Sequence, residues 1–290
     1  MSVALDSGCM ECHLRRNLET ARGLGTEEQA TAFAKALMKL YLDAPEGVST
    51  PWLAPHTAEL FRKMYGLDAD RFRAEKEASN RFVLSRLDQI RRRAQAAPDP
   101  VYAGLQFAIL GNYLDFSALQ GEVSFEELDE LLAQAEKLAL DPVVYRALCA
   151  DLARGGKLLY LTDNAGEIGF DRVLADQIHR AYPRIAITFC VRGGPAVNDA
   201  TRADAAAVGI SFPVIDNGNR IPGTQIDQLG AEARRALDGA DVILSKGQGN
   251  VETLRGCGRN IYYAFLIKCA RFERLFGKPK FTPMLVRERA

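Results

Sequence analysis

From about residue 156 onward the chain alternates between two hydrophobic periods, and this restricts its fold more than any other feature. Apolar runs at Leu158–Thr162, Ile185–Val191, Ile210–Ile215, Val242–Ser245 and Ile261–Ile267 have the length and composition of buried strands. Between them, residues at about 167–181, 196–208 and 226–238 repeat with helical spacing. Strands that alternate with helices pair in parallel, with the crossovers lying on the sheet faces. The expected fold class is α/β, with a Rossmann-like, doubly wound, mainly parallel sheet over 156–290.

The preceding stretch, 1–155, reads as a helical N-terminal region packed on that core. Thr26-Glu27-Glu28-Gln29 has the form of a capping box, followed by Phe33, Leu37, Leu40 and Tyr41 at helical spacing. Arg71 to Ala97 is charged and amphipathic, Val101 to Leu119 is apolar enough for a buried helix, and Ser124 opens a helix with acidic residues in its first turn. The Pro-containing segment Ala44 to Pro55 reads as a loop. No flexible linker separates the two parts, so the helices are expected to pack directly on the sheet.

Composition narrows the function classes. The 290 residues carry 37 basic and 37 acidic side chains, so net charge offers no argument for nucleic acid or an anionic membrane. No apolar run approaches the roughly 18 residues that span a bilayer, and the N-terminus lacks a basic-then-apolar signal pattern. A cytoplasmic protein is expected. Its oligomeric state leaves no signature.

Four strand ends carry polar clusters. Asp163-Asn164-Ala165-Gly166-Glu167 follows the first run, and Arg192-Gly193-Gly194-Pro195 leading to Asn198-Asp199 follows the second. Ser245-Lys246-Gly247-Gln248-Gly249-Asn250 follows the fourth, and Lys268 the fifth. In an open α/β sheet, ligands sit outside the carboxyl ends of the strands. Asp163, Asn164 and Asp199 offer hard oxygen donors of the kind that suit Mg²⁺ or Mn²⁺. Gly247 and Gly249 let backbone N–H groups approach an anion, and Arg192, Lys246 and Lys268 offer positive charge for phosphate oxygens. Each cluster also has a plain reading: Asp163, Asn164, Asn198 or Asp199 as a helix cap, Gly193-Gly194-Pro195 as a turn, Lys246 and Lys268 as solvated side chains. Repetition at four strand ends favours a site. GxxxxGK[ST] is absent, as is a clean GxGxxG with a downstream acid. No Ser-His-Asp arrangement is legible among three histidines.

Two further features stay open. Cys9-Met10-Glu11-Cys12-His13 has the form of a c-type haem attachment pattern, which would require export. It equally describes a Zn²⁺ ligand pair, a redox pair or an unused pair of thiols. The six cysteines as a whole do not read as a disulfide framework. Asn112 and Asp115 interrupt an apolar helix and either reach the metal site or tie helices together.

Taken in order, these motifs resemble the metal-dependent damage-control phosphatases, catalogued as domain of unknown function 89, and within them a subfamily with an N-terminal CxxC. The resemblance runs through CxxCxxR at the start, GNxxDF at 111–116, DNAGE at 163–167, RGGPxxNDAT at 192–201, SKGQGNxE at 245–252 and the closing strand with Lys268. It implies an α/β fold with a helical N-terminal part and one bound divalent ion, Mg²⁺ or Mn²⁺, with Co²⁺ and Ni²⁺ as further options. It also implies hydrolysis of small phosphorylated metabolites. By motif position, Asp163, Asn164 and Asp199 correspond to the metal ligands. Glu167, Gly247, Gln248, Gly249, Asn250 and Lys268 correspond to substrate or phosphate contacts, with Arg192 and Lys246 added on charge and position. Asp163, Asp199 and Lys268 are the expected catalytic groups, the nucleophile being either water or a carboxylate. An S-adenosylmethionine-dependent carboxyl methyltransferase and a non-catalytic metal- or nucleotide-binding regulator are the alternatives. Neither nucleic acid nor membrane is an expected partner.

Overall fold

The computed structural model describes residues 3–68, 70–114 and 124–288. Among these, six strands form one sheet in the order β3-β2-β1-β4-β5-β6. They are β1 Gly156–Leu161, β2 Ile185–Val191, β3 Val214–Asp216, β4 Val242–Lys246, β5 Ile261–Leu266 and β6 Pro283–Glu288. The first five are parallel, and β6 pairs antiparallel with β5 from Ile261↔Glu288 to Leu266↔Pro283. Strand order reverses between β1 and β4. The carboxyl ends of these two strands therefore frame the crevice where an open α/β sheet binds ligands.

The helices are α1 Ser7–Leu24, α2 Glu27–Asp43, α3 Thr50–Tyr65, α4 Arg73–Leu84, α5 Leu87–Ala96, α6 Pro100–Leu110, α7 Phe125–Ala133 and α8 Pro142–Ala153. They continue with α9 Glu167–Ala181, α10 Arg202–Ala207, α11 Ala231–Asp238, α12 Gln248–Leu254 and α13 Ala270–Phe276. Side chains alternate across the strands, so each strand serves both faces. Leu158 and Tyr160 of β1 meet Leu105 and Ile109 of α6, Leu148 and Leu152 of α8, and Leu174 and Ile178 of α9. Leu159 and Leu161 face the opposite way, toward Leu237 of α11, Val251 of α12 and Phe272 of α13. Helices α1 to α3 bury their own small core around Phe33, Leu37 and Phe61. No described helix is long and apolar enough to cross a membrane.

The local sequence accounts for most of these bounds. The capping box at Thr26 forms as expected, with Gln29 N–H on the Thr26 hydroxyl and Thr26 N–H on Gln29 Oε1. α6 starts at Pro100, with Asp99 capping Tyr102 N–H at 3.0 Å, and is buried at every residue but Pro100 and Tyr102. It then tightens into a 3₁₀ turn at Gly111–Tyr113. Its expected continuation to Leu119, and Asp115 with it, lie outside the described residues.

Four expectations are revised. The segment read as a loop to Pro55 turns helical at Thr50, because Pro51 falls in the first turn, where a missing N–H costs nothing. The strand expected over Ile210–Ile215 shortens to Val214–Asp216, since Ile210 N–H still closes on Ala205 O and Pro213 has no N–H to pair. Helix 226–238 splits into a 3₁₀ turn and α11. Helix 196–208 shrinks to Arg202–Ala207, because the backbone before it is committed elsewhere.

α6 and α9 approach closely where Gly104 faces Leu174. A side chain at Gly104 would begin 3.1 Å from Leu174 Cα. Gly104→Leu should therefore cost about 2 kcal/mol or more, read as a lowered urea midpoint. Unchanged stability would show that the helices do not depend on this contact.

Candidate functional site

Parallel β1 and β2 end side by side, and the chain beyond them is stitched together by main-chain bonds. Ala200 N–H reaches Asp163 O at 2.7 Å, Ala165 N–H reaches Asn198 O at 2.9 Å, and Arg192 N–H reaches Ala200 O at 2.9 Å. This is where residues 196–200 spend the hydrogen bonds that a helix would have used. The result is an antiparallel bridge of Asn164 with Asp199. Val197, a β-branched residue, is held at φ 53° in this loop, a strained conformation next to Asn198 and Asp199.

Asp163, Asn164, Asn198 and Asp199 are all buried, and none of them caps a helix. α9 begins at Gly166 without a side-chain cap, and the N–H of Thr201 ahead of α10 is capped by Asp204 at 2.8 Å. The Asn164 amide nitrogen instead donates to Asp163 Oδ2 at 2.8 Å and Glu167 Oε2 at 2.9 Å. Asn112 Nδ2 donates to the same two oxygens at 2.8 and 2.9 Å, while its Oδ1 accepts from Leu266 N–H at 3.1 Å. Asn112 thus does both things left open by the sequence: it reaches the site and it ties α6 to β5. Two amides aim their nitrogens at the carboxylates, so the Asn164 oxygen is turned the other way.

Gly247 sets the width of the crevice. A Cβ placed there would lie 2.0 Å from Asp163 Oδ2, and its φ of 76° excludes most side chains in any case. The Asp163 carboxylate occupies the room that the missing side chain leaves. Gly247 N–H is donated to Ala264 O at 3.1 Å.

Several residues expected at the phosphate are engaged inside the protein. Lys246 is fully buried and donates to Ala108 O at 2.8 Å, Glu167 Oε1 at 2.7 Å and Asp171 Oδ1 at 2.6 Å. Burial alone would disfavour its ammonium, but the Asp171 and Glu167 carboxylates outweigh it and hold the pKa above the ordinary lysine value. Burial pushes the Asp171 carboxyl up to about 7, opposed by Lys246 and reinforced by Glu167. Tyr160 O–H also donates to Asp171 Oδ1, at 2.7 Å. Glu167 therefore has both oxygens occupied by protein donors. Arg192 is likewise buried, with Nε on Asp199 Oδ2 at 2.6 Å and Nη2 on Thr162 O at 3.2 Å. Asn250 gives its amide hydrogens to Thr162 O and Lys246 O and accepts from Thr224 Oγ1. Gly249 faces Pro222 O, 2.3 Å from where a Cβ would sit. Gln248 accepts Lys268 N–H at 3.1 Å. Lys268 is buried at the end of β5 rather than spread into solvent.

The supporting layer was invisible to sequence reasoning. Asn80 of α4 accepts Gly166 N–H at 2.7 Å and donates to Asp204 at 2.9 Å, and Lys76 pairs with Asp204 at 2.8 Å. The one local signal was Asp171, one helical turn after Glu167 on the same face of α9.

The donor set fits a hard divalent ion: two carboxylates and an amide oxygen at adjacent strand ends. Asn198 Oδ1, next to Asp199 in this loop, is a buried acceptor without a hydrogen-bond partner, whereas the likewise unpaired Arg192 Nη1 is a donor that only water or an anion could satisfy. Buried polar atoms of this kind mark places where an ion or ordered water completes a site. Among the described residues, no three His, Cys, Asp or Glu side chains converge as a metal centre. That statement extends to Cys9 and Cys12, which are free thiols. His13 beside them has both ring nitrogens engaged, by Tyr41 O–H at 2.7 Å and Thr57 Oγ1 at 3.2 Å.

Comparison with known proteins agrees over most of the chain. The model of the damage-control phosphatase ARMT1-like domain matches residues 5–282. An uncharacterized protein of Methanocaldococcus jannaschii is 30% identical over 279 residues, covering 92% of this chain and 90% of that one. A damage-control phosphatase of Archaeoglobus fulgidus is 29% identical over 279 residues, covering 93% and 94%. The crystal structure of a DUF89 family protein from Pyrococcus horikoshii has a TM-score of 0.84 at 27% identity and covers 99% of both chains.

Two outcomes follow from this geometry. Lys246→Met leaves Glu167 and Asp171 buried without their cation and should cost about 3–5 kcal/mol in denaturant unfolding; a loss under 1 kcal/mol would contradict the ion cluster. Burial lowers the His13 pKa from 6.5 to about 4. The folded state then binds fewer protons than the unfolded one between these values, so stability is complete above pH 6.5 and falls as pH drops toward 4. His13→Gln should remove about 2–3 kcal/mol of that acid-side loss, measured as urea midpoints of both proteins across this range.

Proposed function

The chain belongs to the damage-control phosphatase ARMT1-like family, and from that membership and the strand-end site we propose a metal-dependent phosphatase. Its substrates are small phosphorylated metabolites, phosphate monoesters that include damaged or side-product compounds. The observation that carries this reading is the bridge of Asn164 with Asp199, which joins the segments carrying Asp163, Asn164 and Asp199 beyond the carboxyl ends of the parallel strands β1 and β2.

Asp163, Asn164 and Asp199 would hold the ion, Mg²⁺ or Mn²⁺ by donor hardness, with Co²⁺ or Ni²⁺ also accommodated. An ion bound there supplies electrophilic pull on a phosphoryl oxygen and acidifies water. Asn112 and Asn164 keep the Asp163 carboxylate oriented by donating to its Oδ2. Arg192 does the same for Asp199. We assign the Lys268 ammonium to the phosphoryl oxygens, where positive charge stabilises the transferring group. Asp163 or Asp199 orients the attacking water or accepts its proton. Lys246, Glu167 and Asn250 take positioning roles in this reading, since their polar atoms are held by protein partners.

Hydrolysis of an aryl phosphate by metal-stripped protein tests this, with Mg²⁺, Mn²⁺, Co²⁺ or Ni²⁺ restored singly. Metal-dependent phosphate release should fall by roughly two orders of magnitude or more in Asp163→Ala with the fold intact. Full activity in that variant would sink the assignment. No release by the wild type with any metal would favour S-adenosylmethionine binding or a non-catalytic binder.

A further inference from the structure

Glu252 closes the SKGQGNxE motif at 245–252 and has been given no role in the site above. It is buried in α12, one turn after Gln248. Its Oε1 accepts from Gln248 Nε2 at 3.1 Å, and the same Nε2 lies 3.5 Å from Cys269 Sγ. These acceptors fix the orientation of the Gln248 amide, turning its Oε1 to receive Lys268 N–H at 3.1 Å. The second oxygen of Glu252, Oε2, lacks a hydrogen bond of good geometry; the Thr50 hydroxyl, likewise buried, is the group that approaches this carboxyl. Burial raises its carboxyl above the usual range, offset in part by the Gln248 hydrogen bond, the Arg271 charge and the Thr50 hydroxyl.

The N-terminal segment closes over this acid. Val3 N–H donates to Glu252 O at 2.8 Å. Arg271 holds Ala4 O, Cys9 Sγ at 3.2 Å and Asp6 at 3.3 Å. Glu252 is linked to the strand-end residues through the Gln248 amide and the Lys268 N–H.

We propose that Glu252 is a positioning residue of the reaction: by locking the Gln248 amide it sets the main chain at Lys268, and with it the phosphate-facing ammonium. This rests on the phosphatase reading above. A Gln at 252 keeps an acceptor for Gln248 Nε2, whereas a Leu removes it and lets the amide turn over. Loss of the lock should weaken phosphate recognition and leave metal recognition as it was.

The test compares metal-loaded wild type, Glu252→Leu, Glu252→Gln and Gln248→Met, the last keeping the falsification open if Glu252→Leu does not fold. Glu252→Leu and Gln248→Met should raise the inhibition constant of inorganic phosphate and lower kcat/KM by up to about tenfold, at an unchanged metal concentration for half-activation. Glu252→Gln should stay within about threefold of wild type. Amide exchange at Lys268, followed by NMR, should accelerate in the first two variants and not in Glu252→Gln. Faster exchange with unchanged phosphate inhibition and kcat/KM would overturn the proposal, as would unchanged exchange in Glu252→Leu or Gln248→Met. A shift in metal half-activation equal to that in phosphate inhibition would show a general structural role and overturn it too. A wild type inactive with every metal would overturn the phosphatase reading, and the catalytic half of this one. The exchange comparison would still decide whether Glu252 sets the Lys268 backbone.

Discussion

The ammonium of Lys246 sits in a dry interior, and the rest of the site is arranged around it. Removing a charged group from water costs several kcal/mol unless its partners are close and complete. Here they are complete: a carboxylate from each of two successive turns of α9 and a carbonyl from α6. Because β4 supplies the lysine, the cluster locks a strand, its neighbouring helix and the helical N-terminal region in one arrangement. Glu167 is at once a partner of this lysine and an acceptor for Asn112 and Asn164. The position of the Asn164 oxygen is therefore set by charges beneath it.

Much of this fold was legible, for identifiable reasons. Parallel strands covered on both faces read as short apolar runs, and the expected bounds of β2 and α9 match the structure. β6 was missed because an edge strand mixes Pro283, Arg287 and Glu288 with its apolar residues and has no helical partner to frame it. The strand-end clusters at Asp163, Asp199, Gly247 and Lys268 stood out because polar residues there interrupt apolar runs. The direction each cation takes was not legible. Lys246 and Lys268 look alike in sequence, and what separates them is Asp171 and Ala108, partners set by tertiary packing. Asn80 reaches Gly166 across 86 positions of chain, a contact that no local pattern encodes.

The polar interior has a sign. Asp163, Glu167, Asp171 and Asp199 oppose Lys246, Arg192 and Lys268, all of them buried. Four acidic groups against three cations leave at most one negative charge in excess, and less as Asp171, pushed up to about 7, takes up a proton. Under the proposed reading, a divalent ion would reverse that balance and make the crevice attractive to a phosphate dianion, so metal and substrate would be electrostatically coupled without touching the same side chains. Gly247 belongs to the same logic, since the space it leaves empty is what lets Asp163 stand at the crevice.

The shortness of β3 has a consequence away from the site. It pairs with β2 only at Phe189–Val191, so among the described residues no strand covers the outer edge of Ile185 to Thr188. Bare edges of this kind recruit strands from other molecules. This one opens into a recess of about 610 Å³ rimmed by Arg91, Arg172 and Arg180. An incoming strand would have to bury those guanidinium groups, and Asp176 beside Arg91, or push them aside, which is how charged side chains blunt an exposed sheet edge.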